Sequence, residues 1–353
     1  MIERLLEIIE DYKMPEGTSM NKTHIERWIN QFDVQDRGVI LSEMVYILEK
    51  FYFSRNSIKQ MLKNLFSCDD VWGKCTKNFF KNVSFLDIQI RGGSQVELLE
   101  LASEVLSEEY QLDITECSSD NRYVYIDDCI FTGSRLKWDI QEAITSGKIK
   151  KNSELWIIHL CKYKSGSNYA YKEIGKICEK NNVNYYPVWF LEKQNYHKNE
   201  YGNSLDTLWP KYVNYEDLDD YIKFRKENSE WANKIDFFRN YNMKKENLFS
   251  CAKNREIVES AFLKAGATIL KGINNPCESM RPMGFSKLES IGFGAMFVTY
   301  RNIANNCPLA LWYGDIFNQG TGGVLGRWYP LFPRRCNEEV YESTFNFDNI
   351  FWK

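Results

Sequence analysis

The hydrophobic and polar positions between residues 83 and 191 switch repeatedly between strand-like and helical patterns. Apolar, β-rich runs occupy residues 83–90, 123–126, 153–160 and 184–190. Segments with helical spacing separate these runs, among them residues 95–110 and 169–180. This order predicts an α/β fold, in which a parallel sheet is covered by helices on both faces. Ligands of such sheets bind beyond the carboxyl ends of the strands.

The regions outside this α/β core have different patterns, and they divide the chain into four predicted parts. Residues 1–80 are helical in pattern, 81–195 form the α/β core, 196–250 are a polar insertion, and 251–353 form an Arg- and aromatic-rich cap. The cap is predicted to be α+β, with a helix at 257–270 and strands at 293–300 and 308–313.

The segment 123–135 contains the clearest candidate chemistry. Asp127 and Asp128 follow an apolar run, so we expect both acids at an exposed strand tip, and the turn Thr132-Gly133-Ser134 opens a helical pattern. Amide groups at a helix N-terminus bind phosphate, whereas the acids would repel it. The carboxylates therefore suit ribose hydroxyls or Mg²⁺ chelated to them, and a ribose 5-phosphate unit fits the whole segment. The alternative is that the acids only end a strand and the turn only caps a helix.

A second candidate loop, Arg91-Gly92-Gly93-Ser94, lies between the predicted strand 83–90 and the following helix. Two glycines let the backbone approach an anion closely, although such a sequence alone is more often a plain turn. Because both loops follow parallel strands, we expect 91–94 and 127–135 to lie at the same edge of the sheet.

The two loops resemble those of type I phosphoribosyltransferases, which bind 5-phosphoribosyl 1-diphosphate (PRPP). The residues that match the PRPP motif are Asp127, Asp128, Cys129, Ile130, Thr132 and Gly133, whereas Phe131 and Arg135 depart from it. The resemblance implies a sheet of phosphoribosyltransferase type, with the catalytic residues Asp127, Asp128 and Arg91. It implies that Ile130, Phe131, Thr132, Gly133, Ser134 and Arg135 bind the ribose phosphate, and that Arg91, Gly92, Gly93 and Ser94 bind the pyrophosphate. Mg²⁺ would be held by Asp127 and Asp128, directly or through the ligand.

The chain as a whole resembles phosphoribosyltransferase-like effectors of the PRTase-CE type, which belong to bacterial anti-phage conflict systems that include retrons. The resemblance lies in the helix 28–32, the motif 126–128, and the segments 300–312 and 328–332. It implies an effector restrained by companion proteins, with a reverse transcriptase and its nucleic acid among the candidate partners.

Composition and charge argue against several classes of protein. A net charge of −3 gives no global attraction to nucleic acid. Ten scattered cysteines without a Cys-x-x-Cys pair argue against zinc ribbons. We find no signal peptide and no long apolar run, so the protein is expected in the cytoplasm without a membrane span. His159 lies in an apolar strand run and is predicted to be a core residue whose hydrogen bonds are satisfied.

The cap contains arginines among aromatic side chains, which suit substrate or partner contacts but equally suit ordinary packing. These arginines are Arg281, Arg301, Arg334 and Arg335.

Two functions stay open at this point. The chain is either a phosphoribosyltransferase-like enzyme acting on PRPP or a related nucleotide, or a non-catalytic ribose-phosphate sensor. The paired acids favour the enzyme. The sensor is favoured by the short connection between residues 110 and 123, where metabolic type I enzymes have a long mobile lid.

Overall fold

The computed structural model describes residues 1–73, 76–89, 93–196, 204–273, 276–317 and 328–334. It divides into two compact units, one formed by Met1–Ser54 with Tyr196–Lys353, and the other by Arg55–Asn195. We call them the split unit and the sheet unit. The helices between residues 55 and 81 thus belong to the same unit as the sheet. The four-part division of the chain stays a prediction.

The helices and strands are numbered in chain order. The first four, in the split unit, are α1 (Ile2–Ile9), α2 (Lys22–Ile29), α3 (Arg37–Phe51) and β1 (Tyr52–Phe53). The sheet unit contains α4 (Arg55–Phe66), α5 (Asp69–Trp72), α6 (Thr76–Lys81), β2 (Ser84–Phe85), α7 (Ser94–Tyr110), β3 (Arg122–Ile130), α8 (Ser134–Thr145), β4 (Ser153–Tyr163), α9 (Lys164–Asn181) and β5 (Val183–Lys193). The split unit continues with α10 (Glu216–Asn228), α11 (Ala252–Lys271), β6 (Val298–Thr299) and α12 (Leu309–Trp312).

The sheet unit is built on four parallel strands in the order β2-β3-β4-β5. Its register aligns Asp127 with His159, and His159 with Trp189, across the three longer strands. The predicted α/β fold with a parallel sheet is confirmed. All four carboxyl ends consequently point toward one edge, which is the expected ligand edge.

Hydrophobic side chains fix the helices on the sheet. Tyr123, Tyr125, Leu155 and Ile157 share one buried cluster with residues of α8 and α9. Alternation along the strand places Val124 and Ile126 on the other face. There α7 contacts β3. Both faces of the sheet are therefore covered, as the pattern predicts.

The turn between β3 and α8 packs on the first turn of α9 without any intervening side chain. Gly133 has φ +78°, and a Cβ atom at this position would overlap the carbonyl oxygen of Gly166. A Cβ atom on Gly166 would overlap the carbonyl oxygen of Phe131. Glycine is required at 133 both for its backbone conformation and for this close approach. The contact fixes the turn that follows the two acids.

Three strand predictions need correction. The strand predicted at 83–90 is only Ser84–Phe85, because the amides of Ile88 and Gln89 donate to the side chain of Gln95. The strand predicted at 293–300 is only Val298–Thr299. The prediction of a strand at 308–313 is wrong, because Leu309–Trp312 is a short buried helix. Periodicity cannot separate a short buried strand from a short buried helix.

The core of the split unit is centred on α11, which contacts α3, α10 and α12. Its Arg255 and Glu259 are each 1% exposed and form an ion pair of 2.7 Å between Nη1 and Oε1. Glu259 also pairs with Arg239, at 2.9 Å. Every charge in this cluster has a partner, which is the condition for burying it.

Gly166→Ala should reduce the free energy of unfolding by about 2 kcal/mol, because the added methyl group overlaps the β3–α8 turn. Gly175→Ala in the same helix is the matched control. Its added Cβ would lie 3.4 Å from the Tyr185 hydroxyl, an ordinary contact, so the substitution should be neutral or stabilising. Urea unfolding of both variants measures the difference. Equal stability of the two variants would contradict the close packing of Gly133 on Gly166.

Candidate functional site

Asp127 and Asp128 lie within β3, before its end at Ile130, and not at an exposed tip. The pairing of β3 with β4 continues to Ile130 and Lys162, so the strand extends past both acids. Asp127 is 7% exposed, and Asp128 is half-buried. The expectation that both acids are exposed is therefore wrong for Asp127. Asp128 is the acid that a ligand can reach more easily.

Hydrogen bonds hold the carboxylate of Asp127 in one orientation. Its Oδ1 accepts from the Asp128 amide at 2.9 Å, and its Oδ2 accepts from Gln89 Nε2 at 2.7 Å. The Tyr125 hydroxyl lies 3.3 Å from the same Oδ2. Asp128 Oδ1 accepts from the Cys129 amide at 2.7 Å. The protein thus supplies the donors that a buried carboxylate needs.

Gln95 connects the strand that carries the acids to the segment before the predicted pyrophosphate loop. This fully buried side chain accepts from the amides of Ile88 and Gln89, at 2.7 and 3.1 Å. Its Nε2 donates to the carbonyl of Ile126 at 3.3 Å, one residue before Asp127. Sequence reasoning treated Gln95 only as the start of a helix, and no local pattern reveals this long-range bond.

The predicted pyrophosphate loop falls partly outside the described residues. Arg91 and Gly92 lie outside them, whereas Gly93 is the N-cap residue of α7 and Ser94 is its first residue. The described flanks of the loop contact β3, through Gln89 to Asp127 and through Gln95 to Ile126. The binding role of 91–94 stays a prediction.

The turn after β3 presents a helix N-terminus at the ligand edge. Gly133 is the N-cap residue of α8, and its carbonyl accepts from the Lys137 amide at 3.1 Å. The amides of Ser134, Arg135 and Leu136 precede this first helical bond and have no acceptor within the helix. Such amides form an anion site together with the helix dipole. Thr132 and Ser134 are half-buried, and Arg135 is exposed.

Phe131 departs from the usual PRPP motif. Its ring stacks on that of Tyr163 at the end of β4, with centroids 5.6 Å apart. Phe131 therefore supports the turn by packing, and its part in ribose-phosphate binding stays a prediction.

Asp139 on α8 is a residue that sequence reasoning missed. It is 7% exposed, and its Oδ2 lies 3.1 Å from the Tyr125 hydroxyl. Burial raises the pKa of its carboxyl to about 6, against the opposing charge of Arg135. Leu136, Asp139, Ile140 and Ala143 are the buried residues of the helix. This i, i+3, i+4, i+7 spacing could have revealed an acid on the core face.

His159 is the β4 neighbour of Asp127. It is 1% exposed, which agrees with its prediction as a core residue. Burial, with a contribution from the charge of Lys162, lowers its pKa to about 3, so the imidazole is neutral. Among the residues that the structure describes, its Nδ1 has no hydrogen-bond partner. The prediction that its hydrogen bonds are satisfied is wrong for this atom.

Two of the arginines of the predicted cap, among those that the structure describes, are internal. Arg281 is 2% exposed and Arg301 5% exposed, and Arg281 lies 3.4 Å from Glu289. Arg334 donates to the carbonyl of Ile303 at 3.1 Å. Arg335 lies outside the described residues. Their role as ligand or partner contacts stays a prediction, and the burial of Arg281 and Arg301 favours ordinary packing.

The acids suit a metal that arrives with its ligand. Within the described ranges, no group of three or more His, Cys, Asp or Glu side chains could hold a metal ion by itself. Mg²⁺ commonly binds one or two carboxylates together with substrate phosphates, and the half-buried Asp128 beside Asp127 fits that pattern.

No helix in the described part of the chain is both long and apolar enough to cross a membrane.

Asp139→Asn should stabilise the protein at neutral pH but not in acid. A folded-state pKa raised from 3.8 to about 6 means that stability is lost as the pH rises through this range. The variant stays neutral, so its gain in unfolding free energy should be absent below pH 3.8 and reach at most about 3 kcal/mol above the folded-state value. Denaturant unfolding, measured below pH 3.8 and above the folded-state pKa, tests the predicted gain in stability. The control is Glu142→Gln, an exposed position on the same helix. A gain that is equal at both pH values would refute the burial cost of Asp139.

The sequence also matches the model of a known protein family. The family model described as PRTase-CE matches residues 25–334. Neither the curated proteins nor the solved structures contain a match to the chain. The matched region includes the acids, the α8 turn, and most of both units. The chain therefore belongs to the PRTase-CE family, whose members are phosphoribosyltransferase-like.

Proposed function

We propose that this protein binds PRPP, or a related ribose phosphate or nucleotide, and acts on it as a phosphoribosyltransferase-like effector. The observation that carries the proposal is the unit β3–turn–α8. Within a few residues it combines two carboxylates with a helix N-terminus whose cap is a glycine. The amides of 132–135 bind the 5-phosphate. Asp128 and Asp127 accept hydrogen bonds from the ribose hydroxyls.

The reaction proposed for this site takes place at the anomeric carbon. The bond from this carbon to the pyrophosphate oxygen breaks, and the electron pair leaves with the pyrophosphate. An acceptor nucleophile, or water, forms the new bond and loses its proton. Arg91 stabilises the negative charge of the leaving group, and the two acids hold the ribose in place. Asp127 and Asp128 would hold Mg²⁺ together with the ligand, and the ion would supply charge neutralisation at the pyrophosphate.

The second candidate function is a non-catalytic ribose-phosphate sensor. One observation favours it. The connection from α7 to β3 covers only residues 111–121 and contains a 3₁₀ turn at Ile114–Glu116. Asp113 caps this turn through its bond to the Thr115 amide, at 2.8 Å. A short, capped connection is not suited to closing over a transition state, which a transferase needs to exclude water.

The biological setting that we propose is bacterial anti-phage defence, in the cytoplasm. Uncontrolled release of pyrophosphate from a common metabolite would harm the host cell, so companion proteins should restrain the site. A reverse transcriptase with its nucleic acid, as in retrons, is the candidate companion. Membership of the PRTase-CE family supports this setting.

Residues 1–80, the predicted helical region, expose less apolar surface to a partner than the rest of the described chain does. Among the described residues 1–80, Met1 and Val34 are the large hydrophobic side chains that are exposed. Trp138, Tyr169 and Trp189 of the sheet unit are 42 to 56% exposed. Exposed patches of aromatic residues are typical of partner sites.

The double substitution Asp127→Asn with Asp128→Asn should lower product formation at least about a hundredfold, because the ribose loses the groups that position it. The purified variants are incubated with Mg²⁺ and PRPP or a nucleotide pool, and mass spectrometry follows small molecules, RNA and protein. The control is Asp120→Asn, whose exposed side chain pairs with Lys150 before β3 begins. Circular dichroism verifies that each variant is folded.

Three results of this experiment would decide between the functions. Loss of product in the double variant alone supports the enzyme. Binding of PRPP by the wild-type protein without any product supports the sensor. Full activity of the folded double variant would refute the proposed site.

Complex formation is a separate prediction. Size-exclusion chromatography with light scattering should show a stable complex of this chain with proteins encoded beside its gene, and product formation should fall in that complex. A monomer that is fully active alone and binds none of these proteins would refute restraint by partners.

A further inference from the structure

The hydroxyl of Tyr125 lies between two carboxylates. It is 3.3 Å from Asp127 Oδ2 and 3.1 Å from Asp139 Oδ2. Tyr125 is fully buried, and both acids are 7% exposed. Gln89 Nε2 donates to this hydroxyl at 3.2 Å and to Asp127 Oδ2 at 2.7 Å. Bulk water therefore contributes little to the balance among these groups.

The phenol has one proton and two carboxylates within reach. When both acids are ionised, the hydroxyl can donate to only one of them, and the other faces the lone pairs of the phenolic oxygen. When Asp139 is protonated, its own hydroxyl can donate to Tyr125, and the phenolic proton is then directed to Asp127. With Asp127 ionised, this is the arrangement in which both carboxyl groups share a hydrogen bond with Tyr125.

We infer that Tyr125 and Asp139 are positioning residues for Asp127, because the protonation of Asp139 determines whether the Tyr125 hydroxyl donates to Asp127. The hydrogen bonding of an acid at the ligand edge is thereby coupled to a second acid that lies on α8, beneath the anion-binding turn. The effect of this coupling on the ligand rests on the proposed function, whereas the coupling itself does not.

The charged and titratable groups around Asp139 leave its proton exchangeable. Arg135, one turn earlier on α8, favours the ionised form, and burial favours the protonated form. From β3, Tyr125 donates to the ionised form, and Asp127 lies beyond it. From β4, His159 lies 5.9 Å from the Tyr125 ring, between centroids, and is neutral. The folded-state pKa of about 6 lies within the range in which a cell or an assay can change the charge.

The coupling predicts how the charge of Asp139 changes ligand binding. Ionisation of Asp139 draws the phenolic proton away from Asp127 and adds a negative charge beneath a site for anions. Both changes weaken ligand binding. A ligand that is held by an oriented, ionised Asp127 in turn favours the protonated form of Asp139, because coupling between two sites is reciprocal.

The first test needs no ligand. Aspartate labelled with ¹³C at the side-chain carboxyl gives the titration midpoint of Asp139 by NMR, with Asp139→Asn used for assignment. Asp127→Asn should lower this midpoint, because the phenol then donates to Asp139 alone. In the Tyr125→Phe background, which keeps the packing of the ring, Asp127→Asn should lower it much less. Equal lowering in the two backgrounds would show coupling through space only and would overturn the inference.

The second test uses PRPP with Mg²⁺ and isothermal titration calorimetry. Above the Asp139 midpoint, Asp139→Asn should bind at least about fivefold more tightly than the wild-type protein, and below it the two should bind equally. Comparison at the same pH cancels the titration of the ligand phosphate, and Glu142→Gln is the control for a charge lost from α8. Equal affinities at both pH values would refute the effect on the ligand. A wild-type protein that binds no PRPP would refute the proposed function, and the NMR cycle would still decide the inference.

Discussion

The requirement that a buried carboxylate must have hydrogen-bond donors organises the whole ligand edge of the sheet unit. Asp127 lies inside a paired strand and is 7% exposed, so water cannot solvate it adequately. The donors are the Asp128 amide within β3 and Gln89 after β2, and the Tyr125 hydroxyl of β3 is also within hydrogen-bond distance. Gln95 extends this arrangement by fixing the backbone of residues 88 and 89 beside the strand. The same bonds that stabilise a buried charge therefore hold Gln89, which precedes the predicted pyrophosphate loop, beside Asp127.

Packing at the next turn complements this electrostatic constraint. The turn after β3 approaches α9 so closely that only glycine fits at 133 and at 166. The N-terminus of α8 is thereby held within a few residues of Asp128. A ribose phosphate needs hydroxyl acceptors and an anion site at a fixed separation, and a rigid turn between a strand and a helix provides both. Transfer requires that water be excluded from the site, and the short α7–β3 connection is the feature that favours a sensor.

The sequence predicts the features that arise from local patterns and misses those that arise from long-range contacts. Periodicity identifies the four strands of the sheet and predicts that they are parallel, and the motif identifies the acids and the turn. It overestimates β2, because the side chain of Gln95 takes the amides that a longer strand would use. It also misreads the apolar run Leu309–Trp312, which is too short to distinguish a buried helix from a strand. The sequence could have revealed Asp139, because an acid on the apolar face of α8 interrupts the helical pattern. The sequence could not have revealed the burial of Arg281 and Arg301, because composition does not show which arginines have internal partners.

The most direct measurement of the central claim is a crystal structure of the protein with PRPP and Mg²⁺. The account predicts the 5-phosphate at the amides of residues 132–135, and the ribose hydroxyls within hydrogen-bond distance of Asp128. It also predicts the pyrophosphate beside residues 91–94. A ligand bound elsewhere on the chain, or bound at this edge with its ribose turned away from both acids, would contradict the account.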